Sequence, residues 1–212
     1  MERARFIVGS ICAGIAISIG CMAYLISSSA WTFPIGLFIV CSFGLNLFTG
    51  KVCFSKLKDI PSLIVCLVFN IITAFGMGYL IGFCRPSLVF DAGNLVVIKY
   101  TRGFVWLIPY AILCNALIYV AVESYRSEIL SMVARLFGLY FATAIFVICG
   151  FEHCVANAFY FGLARDLSVK SVSFLGLNAL FNAVGGVISY RTVMFINGNG
   201  DRYEIKKRLC NK

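Results

Sequence analysis

A single histidine, His153, stands beside Glu152 in the middle of a long apolar stretch. Ionisable groups in such a setting are rare and mark solute or proton pathways by default. An imidazole there can donate a hydrogen bond to a passing solute or exchange a proton with it. Its simpler role is to tie two helices together by hydrogen bonds. Glu152 need not serve the same path, because adjacent helical residues point about 100° apart. It is expected to be structural, hydrogen-bonded to backbone groups that a break in the helix sets free. A catalytic site of Glu152, His153 and Cys154 is the sharper reading. It lacks a complete metal-ligand set, and adjacent helical positions cannot all converge on one atom. No enzyme activity, cofactor or metal is therefore expected.

The elements that would hold these residues follow from composition. Of 212 residues, 61% are hydrophobic and 13% charged, and mean hydropathy is +0.93. Soluble domains are about 45–50% apolar and about 25% charged, so lipid must be the solvent for most of this chain. A spanning helix takes roughly 20 apolar residues. Six apolar segments fit, at about residues 6–28, 33–54, 60–84, 103–122, 136–164 and 172–190. The expected organisation is all-α, one transmembrane domain over 1–212. Its halves fall at about 1–84 and 99–192, followed by a basic tail over 193–212 with a turn at Asn197–Asp201 and the run Lys206-Lys207-Arg208. The first apolar run is too long for a signal-peptide core and is expected to be retained as a helix.

Net charge is +9, which in a soluble protein would suggest nucleic acid. Here the basic residues sit at the ends of apolar runs, where they set orientation, and no nucleic-acid partner is expected. With the N-terminus inside, Arg85, Lys99, Arg102, Arg165 and Lys170 lie outside and the other thirteen Lys and Arg inside. Both termini are thus expected to be cytoplasmic, which an even number of spans permits. Eight of the ten cysteines lie in apolar stretches as small buried hydrophobes, and no C-x-x-C spacing occurs.

Segments two and five are interrupted where a simple span should be most apolar. The interruptions read Leu45-Asn46-Leu47-Phe48-Thr49-Gly50-Lys51 and Gly150-Phe151-Glu152-His153-Cys154-Val155-Ala156-Asn157. Each is the second helix of a three-helix half, and matching interruptions in two halves point to a midplane binding site. Halves with an odd number of spans must be inverted relative to each other. Irregular backbone at this depth must face protein or a water-lined cavity. The N–H groups at the new helix starts carry partial positive charge, which suits an anion.

The Gly150–Asn157 string resembles the fifth-helix signature of the formate/nitrite transporter family, and Leu47-Phe48-Thr49-Gly50 resembles that family's broken second helix. Asn115 in Ile112-Leu113-Cys114-Asn115-Ala116-Leu117 matches the fourth-helix pattern. Asn182 in Asn182-Ala183-Val184-Gly185-Gly186 matches the sixth, and Lys99 stands where the family has a lysine ahead of the fourth helix. The similarity covers nearly the whole chain from about residue 30. It implies an aquaporin-like fold in a homopentamer, one pore per subunit, and a small-anion substrate with protons as partners. The pathway residues it implies are His153, Thr49, Asn157, Asn115, Asn182 and Lys99, and the apolar constrictions Phe33, Leu37, Leu47, Phe48 and Phe146. On residue type alone, those aromatics read as ordinary packing.

Two positions depart from the pattern. Lys51 replaces a small or amide residue, so a cation there either assists anion uptake from inside or snorkels to the interface. Ala158 stands where methionine is common. The implied solutes are formate, nitrite, lactate, acetate and hydrosulfide, all of which can take a proton and cross a dry constriction uncharged. Chloride cannot. The alternative, a neutral-solute channel of the aquaporin kind, would be expected to show paired Asn-Pro-Ala motifs, and the sequence has none.

Overall fold

The structure is a computed structural model and describes residues 1–197. The basic run Lys206-Lys207-Arg208 and all of the proposed tail turn except Asn197 lie outside those residues. Among the described residues there are eight α-helices and no strand. They are α1 (Glu2–Ser27), α2 (Pro34–Ser42), α3 (Phe48–Val52), α4 (Ile60–Cys84), α5 (Pro86–Arg126), α6 (Met132–Ile148), α7 (Cys154–Leu163) and α8 (Val169–Ile196).

Helices α1, α4, α5 and α8 are each long and apolar enough to cross a bilayer. The pairs α2–α3 and α6–α7 are two further spans, each broken in the middle, which makes the six expected. The chain is therefore an integral, multi-pass membrane protein built from two three-helix halves. Within the halves α1 packs on α4 and α5 on α8. Between them α4 lies against α7 and α8 against α3, so the last helix of each half covers the short helix of the other.

Local chemistry places the ends. Proline occupies the first turn of α2, α4 and α5, where a missing N–H costs nothing. The Ser131 and Ser168 hydroxyls accept from Ala134 N–H and Ser171 N–H to cap α6 and α8. Helix α5 starts at Pro86, well before the span expected at residue 103. Its first part, residues 86–102, buries Leu88, Ala92 and Val96 on one face and exposes Phe90, Val97 and Ile98. It turns into the spanning part at Gly103, whose φ of 75° and ψ of 177° are not helical.

The α4–α7 crossing is backbone on backbone. A Cβ on Gly162 would lie 2.1 Å from the Phe75 carbonyl oxygen, and one on Gly78 would lie 2.2 Å from that of Phe159. Neither neighbour is a side chain that can swing aside. Gly162→Ala is expected to cost about 3 kcal/mol or more through overpacking and to abolish a monodisperse peak in size-exclusion chromatography. Gly76→Ala, whose Cβ meets nothing within 4 Å, is the control and should behave as the parent protein.

Candidate functional site

Each broken span starts as an ordinary helix and is stopped by a glycine in the left-handed region, Gly44 at φ 60° and Gly150 at φ 66°. The chain then turns back on itself by Leu45 N–H donating to Val40 O at 2.9 Å and Phe151 N–H to Phe146 O at 2.9 Å. Two extended residues follow before a new helix begins. Apart from Leu47 O and His153 O, which accept from Lys51 N–H and Asn157 N–H of the new helices, their backbone groups have no helical partners and lie in the interior, where each must find one.

The partners match position for position. Asn46 N–H donates to Gly9 O at 3.2 Å, and Glu152 N–H to Tyr110 O at 3.3 Å. The Asn70 amide donates to Asn46 O at 3.0 Å and to Ser10 O at 2.7 Å, while its Oδ1 accepts from Phe48 N–H at 2.8 Å. The Asn182 amide donates to Glu152 O at 2.9 Å and to Ala111 O at 2.8 Å, while its Oδ1 accepts from Cys154 N–H at 2.9 Å. One turn earlier on the same helices, Cys66 Sγ and Asn178 Nδ2 donate to the same two break carbonyls, at 3.1 and 2.7 Å. The two halves thus use one bracket twice.

Side chains at equivalent positions then diverge. Leu47 and His153 both precede the new helix in extended conformation. Leucine cannot cap, whereas His153 Nδ1 accepts from Ala156 N–H at 3.2 Å. With its Nδ1 lone pair committed, the neutral ring carries its proton on Nε2 and donates to Thr49 Oγ1 at 3.0 Å. Thr49 and His153 are both buried, and the Asn115 amide donates to Thr49 O at 3.1 Å from behind. Asn115 Oδ1 is buried without a partner. The Phe146 ring lies nearly parallel to the imidazole at 5.9 Å, and the Phe33 ring meets Phe146 edge-on at 5.3 Å.

Toward the termini, Leu37 and Leu47 form the floor of a cavity of about 570 Å³ whose rim carries Lys51, Ser62 and Arg126. At the opposite end a crevice of about 10 Å³, roughly one water in size, is lined by Lys99, Arg102, Tyr110 and Glu152. Phe48, expected at a constriction, lines a separate apolar groove between α4 and α8.

Glu152 differs from its expected partners. Its carboxylate does not bind freed backbone groups; it pairs with Lys99 Nζ at 2.6 Å and accepts from Asn157 Nδ2 at 2.8 Å. The reason is charge: a carboxylate only slightly exposed needs a cation, and neutral amides can serve the backbone instead. Of the expected pathway residues, only the His153 and Thr49 side chains meet. Lys99, Asn157 and Asn182 brace the second break, and Asn115 braces Thr49. Asn157 also donates to Asn178 Oδ1 at 2.7 Å. Asn70 and Asn178 were missed by sequence reasoning. Asn70 is a lone amide in an otherwise apolar run and Asn178 stands one turn before Asn182, each on the last helix of a half.

Fold and site together define an inverted-repeat membrane transport protein in which the buried pair of His153 and Thr49 lies between apolar walls. Residues 1–196 match the model of the formate/nitrite transporter family, and the chain belongs to that family. It is 29% identical over 191 residues to a probable formate transporter of Methanothermobacter thermautotrophicus, covering 74% of this chain and 69% of that one. Its fold is similar to that of a pentameric formate channel with formate bound, at 21% identity and a TM-score of 0.78, over 91% of this chain and 96% of the other. A second solved structure, an FNT family ion channel, is similar at 21% identity with a TM-score of 0.70, covering 86% of each chain.

Proposed function

We infer that each subunit passes small monovalent anions of weak acids, formate and nitrite first among them, through its own pore in a homopentamer whose termini face the cytoplasm. The observation that carries this reading is the buried pair of His153 Nε2 and Thr49 Oγ1, 3.0 Å apart, with Phe146 and Phe33 beyond it and Leu37 and Leu47 toward the vestibule. The channel and transporter relatives support the substrate class and the pentamer, and the excess of Lys and Arg on one side supports the orientation.

The chemistry follows from desolvation. A bare anion between apolar walls loses its hydration and has no fixed counter-charge to replace it. A weak-acid anion escapes that cost by taking a proton and crossing the driest stretch as the neutral acid. The Thr49 hydroxyl, which accepts from His153, keeps its own hydrogen to donate to a solute oxygen. With Nδ1 held by Ala156 N–H and Nε2–H given to Thr49, His153 fixes that hydroxyl as a donor, and the proton the anion takes up comes from water on the entry side.

Flux in proteoliposomes tests this directly. Formate and nitrite uptake should rise as pH falls, because the neutral fraction grows, while chloride should be excluded at every pH. Chloride flux equal to formate flux would refute the reading.

A further inference from the structure

The internal repeat isolates one side chain. Counting along the two matched breaks, Asn46 corresponds to Glu152, Leu47 to His153, Phe48 to Cys154, and Lys51 to Asn157. In the second break Asn157 is neutral and reads the Glu152 carboxylate, whose charge Lys99 balances. In the first, Asn46 is neutral and its amide is spent on Phe6 O at 2.8 Å. The charge has moved to position 51, where no carboxylate of the described residues lies within ion-pairing distance of the ammonium.

Lys51 is exposed and stands on the rim of the 570 Å³ cavity, 5.7 Å above the Phe6 ring. Arg126 lines the same cavity with its guanidinium 4.3 Å from the Phe54 ring. Asp59, the carboxylate among the lining residues, accepts from Lys56 N–H at 2.9 Å. Below them the cavity narrows at Leu37 and Leu47. A solute still charged must wait at this level while it sheds water, and a cation beside that position lowers the energy of waiting. At the other end Lys99 is occupied by Glu152 and Arg102 borders a water-sized crevice.

Resting on the weak-acid reading above, we propose that Lys51 makes the mouth on the α3 side an anion-holding site, so that the two directions of flux begin from unequal mouths. Snorkelling alone would give Lys51 no effect on concentration dependence. The test is initial formate flux measured from each face separately, in right-side-out and everted vesicles whose sidedness is set by protease access to an N-terminal tag. Lys51→Asn, which copies the equivalent Asn157, should raise the half-saturating formate concentration roughly three-fold from the α3 face only. It should also flatten the dependence on ionic strength at that face, where screening acts over about 8–10 Å. Lys51→Arg should restore both. Lys51→Asn curves that coincide with the parent at both faces, or shift equally at both, would overturn the proposal while leaving the weak-acid reading intact. Absence of formate flux in the parent protein would overturn both.

Discussion

Asn70→Leu is expected to destabilise the protein by on the order of 3–5 kcal/mol, and Asn182→Leu by somewhat less. In each variant the first N–H of a short helix, Phe48 or Cys154, loses its acceptor. A buried donor left unpaired costs about 1–3 kcal/mol, and each of the two lost amide bonds adds about 1 kcal/mol. The difference between the halves comes from the turn before. Glu152 O keeps a full amide bond from Asn178, whereas Asn46 O keeps only the weaker thiol of Cys66. Thermal unfolding of detergent-purified protein should show a drop of roughly 10 °C or more for a chain of this size, larger for Asn70→Leu. Equal or negligible shifts would mean that water or backbone relaxation satisfies the freed groups.

His153→Phe should give a folded protein whose formate flux falls at every pH, while the rise toward low pH, set by the neutral fraction of the solute, is kept. Its stability cost is modest: one cap to Ala156 N–H, worth about 1 kcal/mol, and one hydrogen bond to Thr49, worth about 1 kcal/mol. The functional loss is larger, because the proton-bearing partner of the Thr49 hydroxyl is gone and Phe146 then meets an apolar ring. Two companions separate these effects. His153→Asn preserves a side chain able to cap the helix but removes the Nε2–H donor to Thr49, so it should be stable with flux lowered as in His153→Phe. Thr49→Val leaves the imidazole and its cap in place and removes the hydroxyl, so flux should fall across the whole pH range. Parent-level flux in folded His153→Phe would assign His153 to helix capping alone.

The spans were legible because hydropathy and charge placement act locally. The two interruptions were legible because Lys51 and the Glu152–His153 pair cut apolar runs that otherwise have no reason to stop. The helix over residues 86–102 was not. Asp91, Gly93 and Asn94 read as loop, and the regular spacing of Leu88, Ala92 and Val96 shows its meaning only when that face is covered. At the site, His153 and Thr49 could be named from the sequence. That the Lys99 charge would be spent on Glu152 depends on a kink at Gly103 that brings residue 99 back over residue 152. The role of Asn70 depends on matching two halves whose side chains have diverged, which hydrogen-bond geometry reveals and residue identity does not.

The twin brackets also bear on how such a chain can be made. Every side-chain hydrogen bond that Asn70 makes outside its own helix lands within residues 10–48, and every such bond of Asn182 within residues 111–154. The first broken span can therefore close its backbone once α4 leaves the ribosome, ahead of α5. The second closes in the same way with α8. What neither half can do alone is shield its turn from lipid, since α4 must receive α7 across Gly78 and Gly162. Synthesis from the N-terminus would thus yield a pre-bonded but uncovered half that waits in the membrane for its counterpart.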